Sequence, residues 1–220
     1  MERANGDGTG EKFLVGTLGS LGAGLMVWWI QSRFSDVREF PYSAFVDPEG
    51  VAGLAADLPA DEDSFILSAW DLVGRDIPYE RRGSDVTFVD GHVHCQECVL
   101  PLEVLKRGRA NCLGKSALLV SILRNRLPAS RVYMVIGTVA TDGIGGHAWA
   151  VVQRPGGWYV LEATRPPKGW VKASDTDIYA PSTILNDQHF SAVDSKLYHK
   201  ISRADCASAC ACLTPTYPLF

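Results

Sequence analysis

Residues 108–137 read GRANCLGKSALLVSILRNRLPASRVYMVIG, and the reading of this stretch decides the fold. Asn111 is a favoured N-cap residue type. Beyond it, Ala117, Leu118, Ser121, Ile122 and Leu123 recur at helical spacing. That spacing predicts a helix from Cys112 to Arg126, ended by Pro128. From Arg131 to Ala140 the composition turns to Val, Ile and Tyr, which is strand-like. The turn Asp142-Gly143-Ile144-Gly145-Gly146 follows, then a second strand from His147 to Arg154. Arg154-Pro155-Gly156-Gly157 makes a tight turn into a third strand from Trp158 to Ala163. A helix followed by an antiparallel sheet is an α+β arrangement, with the Cys112 helix packed on the sheet.

Upstream, Phe65, Ile66, Ala69, Trp70 and Val73 predict a helix capped by Asp61 or Asp63 and ended by Pro78 and Gly83. Val86 to Val89 reads as a short strand, and Pro101 opens a short helix closed near Gly108. Residues 31–60, with Pro41, Pro48 and Pro59, read as a linker with short elements. The weak periodicity of Ser182 to Leu197 leaves room for one helix, and Cys206 to Phe220 reads as irregular. The expected organisation is an apolar anchor or docking segment with linker over 1–40, a domain over 41–200, and a Cys-rich tail over 201–220.

The chemistry gathers at three residues. A cysteine at a helix N-terminus meets the positive end of the helix dipole, which favours the nucleophilic thiolate, and Cys112 is placed in that way. A neighbouring imidazole favours the thiolate further and later serves as general acid. His147 opens a strand just after glycines that leave room for substrate and for a facing helix. With a two- or four-residue turn at Pro155-Gly156, Glu162 faces Trp149 and lies diagonally from His147 on the same face, at about 7–8 Å between backbones. A three-residue turn would reverse that parity. On this register Glu162 orients the imidazole. The backbone N–H of Cys112 is a ready oxyanion donor, and Gln96 is a candidate for a second. Singly, each residue has a bland reading: a buried thiol, a structural histidine, a solvated carboxylate. Their joint order carries the hypothesis.

GRANCLGKSALLVSILRNRLPASRVYMVIG, then GHAWAVV, then GGWYVLEAT, resembles the core of the transglutaminase-like superfamily. AWDLVGRDIPY resembles the preceding helix of that family, and PLEVLKRGRANC its lead-in to the nucleophile. The resemblance covers about residues 61–170. It implies a papain-like α+β fold and thiol chemistry on amides: peptide or isopeptide hydrolysis, deamidation, or acyl transfer to an amine. Carried over residue by residue, it implies Cys112 as nucleophile, His147 as general base and acid, and Glu162 as orienting acid. No cofactor and no metal is implied, and the partner is a peptide or protein substrate. Two departures stand out. The third member is more often Asp, and Leu-Gly-Lys follows Cys112 where many bacterial relatives carry acidic residues.

Composition bounds the alternatives. The 220 residues are 46% hydrophobic and 21% charged, close to the globular average, with a net charge of −4 and no basic run. Nucleic-acid binding therefore lacks electrostatic support. Residues 13–30, FLVGTLGSLGAGLMVWWI, pass without a charge. That is the short end of a membrane span. Gly16, Ser20 and Gly24 share one helix face, and Trp28 and Trp29 lie near one end. The expected localisation is membrane-associated through this segment, or embedded in a larger assembly. The alternative from another class is a non-catalytic structural component of a membrane or virion assembly, using the fold as scaffold. His92-Val93-His94-Cys95-Gln96-Glu97-Cys98 holds ligand types for zinc, against the plainer reading of a loop with a disulfide or free thiols. The tail cysteines Cys206, Cys210 and Cys212 suit disulfides or acylation.

Overall fold

A computed structural model describes residues 37–81, 85–89, 91–140 and 144–192. The apolar segment 13–30 and the cysteines at 206, 210 and 212 lie outside the described residues. Among the described residues, no helix is long and apolar enough to cross a membrane.

Four α-helices and nine strands are described. Helix α1 is Ala52–Ala56, α2 Glu62–Asp71, α3 Pro101–Arg107 and α4 Cys112–Arg124. Strands β1 (Val37–Pro41), β2 (Asp85–Val89) and β3 (His92–Gln96) form a small sheet in the order β1-β3-β2. Strands β4 (Val132–Ala140), β5 (Ile144–Arg154), β6 (Gly157–Leu161), β7 (Val171–Lys172), β8 (Tyr179–Leu185) and β9 (Phe190–Ala192) form a larger antiparallel sheet. Its order is β7-β6-β5-β4-β8-β9. The fold is α+β.

Helix α4 starts where its cap dictates. The Asn111 side chain accepts a hydrogen bond from the Gly114 N–H at 3.1 Å, satisfying a donor that the first turn leaves free. The helix was expected to carry an apolar stripe. Instead every residue from Leu113 to Leu123 is buried, so it runs through the core and not over its surface. It packs on the sheet face formed by Met134, Ala148, Ala150, Val152, Leu161 and Leu185. The alternate residues Tyr133, Val135, Trp149, Val151, Trp158 and Val160 build a second cluster on the opposite face. Each large side chain buried in this way contributes roughly 1.5–3 kcal/mol relative to exposure.

Other expectations sort by how local their causes are. Asp61 caps α2, its carboxylate accepting from the Ser64 N–H at 3.0 Å. Pro101 occupies the first turn of α3, and Gly108 ends it in the left-handed region. The helix considered from Ser182 is a correction: β8 pairs with β4 there, and β9 follows. Its β-branched Thr183 and Ile184 fit a pleated surface better than a helix. Between 37 and 56 the chain carries β1, two short 3-10 turns and α1, and it buries Phe45, Val46, Val51 and Ala55. Cys95 and Cys98 are joined in a disulfide, so neither thiolate is open to zinc. No cluster of three or more potential metal ligands occurs among the described residues.

Past α2 the chain makes a π-turn over Leu72–Asp76. A Cβ on Gly74 would lie 2.3 Å from the Arg165 carbonyl oxygen, a backbone atom with little freedom to retreat. Gly53, within α1, has nothing within 4 Å of such a Cβ. The two glycines should therefore respond oppositely to alanine. Gly74→Ala is expected to cost about 1–3 kcal/mol through overpacking, and Gly53→Ala to gain up to about 1 kcal/mol from helix propensity. Urea denaturation of both variants measures this, and a neutral Gly74→Ala would contradict the close approach.

Candidate active site

The site forms where β6 ends. The β5–β6 ladder runs from Arg154↔Gly157 and Gln153↔Trp158 to Ala150↔Leu161. Its connection is a two-residue turn at Pro155-Gly156, with Gly156 at φ 94°, a conformation glycine adopts without strain. Extended by one step, the register sets Glu162 opposite Trp149, as the two-residue turn requires. The third strand was expected to reach Ala163 but ends at Leu161, so Glu162 is the first residue beyond it.

Residues 147 and 149 point away from the face that α4 covers. Trp149 lies in the opposite cluster, with His147 stacked on it at 6.1 Å between ring centroids. The glycines before His147 leave open space, a Cβ on Gly145 or Gly146 meeting nothing within 4 Å. Cys112 reaches His147 past the edge of β5, in the gap that β6 vacates. There the backbone N–H of Ala148 donates to the Cys112 sulfur. That donor lies two residues beyond the last β5–β6 pair.

Glu162 is buried and fully partnered. Its Oε2 lies 2.8 Å from His147 Nε2 and accepts from the Tyr179 hydroxyl at 3.1 Å. Its Oε1 accepts from the Thr164 N–H at 3.0 Å and the Thr164 hydroxyl at 2.6 Å. Its own carbonyl accepts from the Trp70 indole N–H at 2.8 Å, which ties α2 to this position. Burial alone would raise the Glu162 pKa. The hydrogen bond and charge of His147, with the Thr164 donors, overcome that and hold it at about 2.

Burial likewise disfavours a charged His147, but hydrogen bonds to Cys112 and Glu162 raise its pKa to about 9. With Nε2 on Glu162, Nδ1 is the nitrogen left for the thiol. Burial pushes the Cys112 thiol up. The His147 hydrogen bond and charge, with the backbone N–H groups of Ala148 and Leu113, bring it below its ordinary value. The three residues read from the sequence therefore lie in one hydrogen-bonded chain, with the imidazole between the ionised Glu162 carboxylate and a thiol held below its ordinary value.

Several partners were given no role by the sequence, although Tyr79 closes the Ile-Pro-Tyr ending of AWDLVGRDIPY and Lys115 closes the Leu-Gly-Lys that follows Cys112. Thr164 and Tyr179 satisfy the carboxylate, and Tyr179 also packs on Trp149 at 4.9 Å. Tyr79 places its hydroxyl in hydrogen-bonding contact with Cys112. Lys115, one turn past Cys112, is buried. Its ammonium donates to the Ile77 carbonyl at 2.5 Å and the Gly74 carbonyl at 3.3 Å. Burial lowers its pKa to about 8, against the pull of the Glu162 charge. Gln96, weighed as an oxyanion donor, ends β3 opposite Asp85 in the small sheet.

No family model matches the chain, and no curated protein matches it. Solved structures are similar to it at low identity. A candidate cysteine protease from Cytophaga hutchinsonii is 15% identical with TM-score 0.41, over 70% of this chain and 51% of that one. This chain thus spans about half the length of the Cytophaga protein. LapG of Legionella pneumophila is 14% identical with TM-score 0.47, over 73% of this chain and 95% of LapG. Its calcium-bound form is 13% identical with TM-score 0.45, over 69% and 93%. At such identities function does not follow from likeness of fold.

The Glu162 carboxyl has a folded pKa below its ordinary 4.5. The stability it confers is complete above pH 4.5 and lost as pH falls through 2. Wild type should therefore exceed Glu162→Gln by about 3 kcal/mol above pH 4.5, and the gap should close toward pH 2. Denaturation curves at several acid pH values measure the gap, and a constant difference across that window would refute the buried ionised state.

Proposed function

We propose that this protein is a thiol hydrolase or acyltransferase of the transglutaminase-like kind, acting on amide carbonyls of peptides or proteins through an acyl-enzyme at Cys112. The observation that carries this reading is the buried His147–Glu162 pair at 2.8 Å, with the imidazole also bonded to a thiol at a helix N-terminus. A structural histidine needs one acceptor. This one is held between a fixed carboxylate and a sulfur whose pKa is lowered, which is the arrangement of an activated nucleophile.

In this reading the Cys112 thiolate attacks the carbonyl carbon. A C–S bond forms, and the carbonyl π pair moves to oxygen. The backbone N–H of Cys112 stabilises that oxyanion. When the pair returns, the C–N bond breaks, and the nitrogen leaves with the proton held by His147. Water or an amine then loses a proton to His147 and attacks the thioester, regenerating the thiol. Glu162 never takes the proton: with its pKa held near 2 it serves to orient the ring and stabilise its charge. Trp149 stacks on the ring and is itself backed by Tyr179, which limits rotation away from the thiol.

Iodoacetamide alkylation followed by peptide mass spectrometry across pH tests the pair. Cys112 of wild type should react well below the pH range of an ordinary thiol. His147→Ala should lose that advantage, the rate near pH 6 falling at least about tenfold as the thiol pKa returns upward. Cys112→Ala should retain the fold and abolish turnover. An alkylation profile unchanged by His147→Ala would overturn the assignment.

A further inference from the structure

One oxyanion donor, the backbone N–H of Cys112, follows from the helix start. A single donor leaves much of the developing charge uncompensated, and the structure offers a specific second one. We infer that the Tyr79 hydroxyl is the second oxyanion donor of the site, moving from the Cys112 sulfur to the substrate oxygen as the tetrahedral intermediate forms. The inference rests on Cys112 being the nucleophile.

Three observations converge on Tyr79. Its backbone is fixed beside the chain that enters α4. Tyr79 forms a parallel bridge with Ala110, the Glu80 N–H donates to the Ala110 carbonyl at 2.9 Å, and the Ala110 N–H donates to the Pro78 carbonyl at 3.3 Å. Ala110 precedes Cys112 by two residues, so the phenol approaches from the N-terminal end of the helix, the side where the Cys112 N–H points. His147 arrives from β5 instead, which separates the proton-transfer side from the donor side.

Secondly, the segment leading to Tyr79 is held from within. Lys115 donates to the Ile77 carbonyl at 2.5 Å and to the Gly74 carbonyl at 3.3 Å, linking that segment to the same helix that carries the nucleophile. A buried ammonium placed on two main-chain carbonyls two and five residues before Tyr79 limits drift of the phenol relative to the sulfur. Lys115 thus ties the segment before Tyr79 to α4. Finally, Tyr79 is 47% exposed, although its hydroxyl contacts the thiol. A tyrosine that served only to pack would bury its ring. This one stays half-exposed with its donor at the reacting atom, within reach of an oxygen that develops charge there.

Two small probes separate this role from simple support of the thiolate. Iodoacetamide is displaced at carbon: the C–S bond forms as iodide leaves, and no oxyanion appears. 4-Nitrophenyl acetate is attacked at its carbonyl: the C–S bond forms, the π pair resides on oxygen, then returns as nitrophenolate departs, leaving acetyl-Cys112. Both rates are measured on the full chain, on the pH plateau where the thiol is fully ionised, with Tyr79→Phe beside wild type. The expected result is a fall in acetylation of at least about tenfold in Tyr79→Phe. Alkylation should stay within about threefold, because it reads thiolate and fold without an oxyanion. Equal loss in both reactions would make Tyr79 a thiolate support and overturn the donor role, and so would unchanged acetylation. If wild type is neither alkylated nor acetylated at Cys112, the nucleophile itself is refuted, and the donor with it. That outcome is visible before any Tyr79 variant is compared.

Discussion

Burial of the Glu162 carboxylate is the constraint on which the rest of the site depends. An isolated buried carboxylate costs several kcal/mol and would rather be protonated. Here four donors converge on its two oxygens, from Thr164, Tyr179 and His147, and Trp70 secures its carbonyl. Each demand shapes the chain. The strand must stop at Leu161 so that Thr164 can fold back on Oε1. Tyr179 must arrive from β8, two strands beyond β5 in the sheet, with Trp149 packed between it and the imidazole. His147 then becomes charged in order to complete the set, and its hydrogen bond and charge, with two backbone N–H groups, lower the thiol.

The second constraint is topological. A helix packed on one face of a sheet does not ordinarily meet side chains on the other. Helix α4 covers the face of Ala148 and Ala150, whereas His147 and Trp149 belong to the reverse face. The conflict is resolved at the edge left open by the short β6. There the thiol takes the Ala148 N–H that a longer β6 would have claimed, and the imidazole meets it from the other side. The early end of one strand therefore frees a donor and makes the opening for the nucleophile. Lys115 and Gly74 brace that arrangement, the first by its carbonyl contacts, the second by letting the π-turn close on the Arg165 backbone.

The parts legible in the sequence are those with short-range causes. The Asn111 cap, the start of α4 at Cys112, the caps at Asp61 and Gly108 and the strand composition of β4 to β6 all depend on neighbours within a turn or two. Even the face of Glu162 could be derived, because strand parity and a two-residue turn carry register across a hairpin without tertiary information. Lys115 was visible only as an unusual residue after the nucleophile. Its role depends on carbonyls some forty residues upstream. The stripe expected on α4 failed for the same reason: whether a helix is covered on one side or all round depends on what else packs there.

By itself the sequence determined the α+β class and the helix that presents Cys112, and it set Glu162 diagonally from His147 on the condition of a two- or four-residue turn, which the structure supplies. These follow from capping, side-chain period and turn length, which act over a few residues. Only the tertiary structure decided that the thiol meets the imidazole past a strand edge, that Thr164 and Tyr179 complete the carboxylate, that Cys95 and Cys98 pair with each other, and that Tyr79 stands at the sulfur. The Tyr79, Tyr179 and His147 contacts join residues distant in the chain, and the near pairs Cys95–Cys98 and Glu162–Thr164 depend on how their loops are held. Their distances are set by how helices, sheet and loops pack against one another, and no local pattern encodes them.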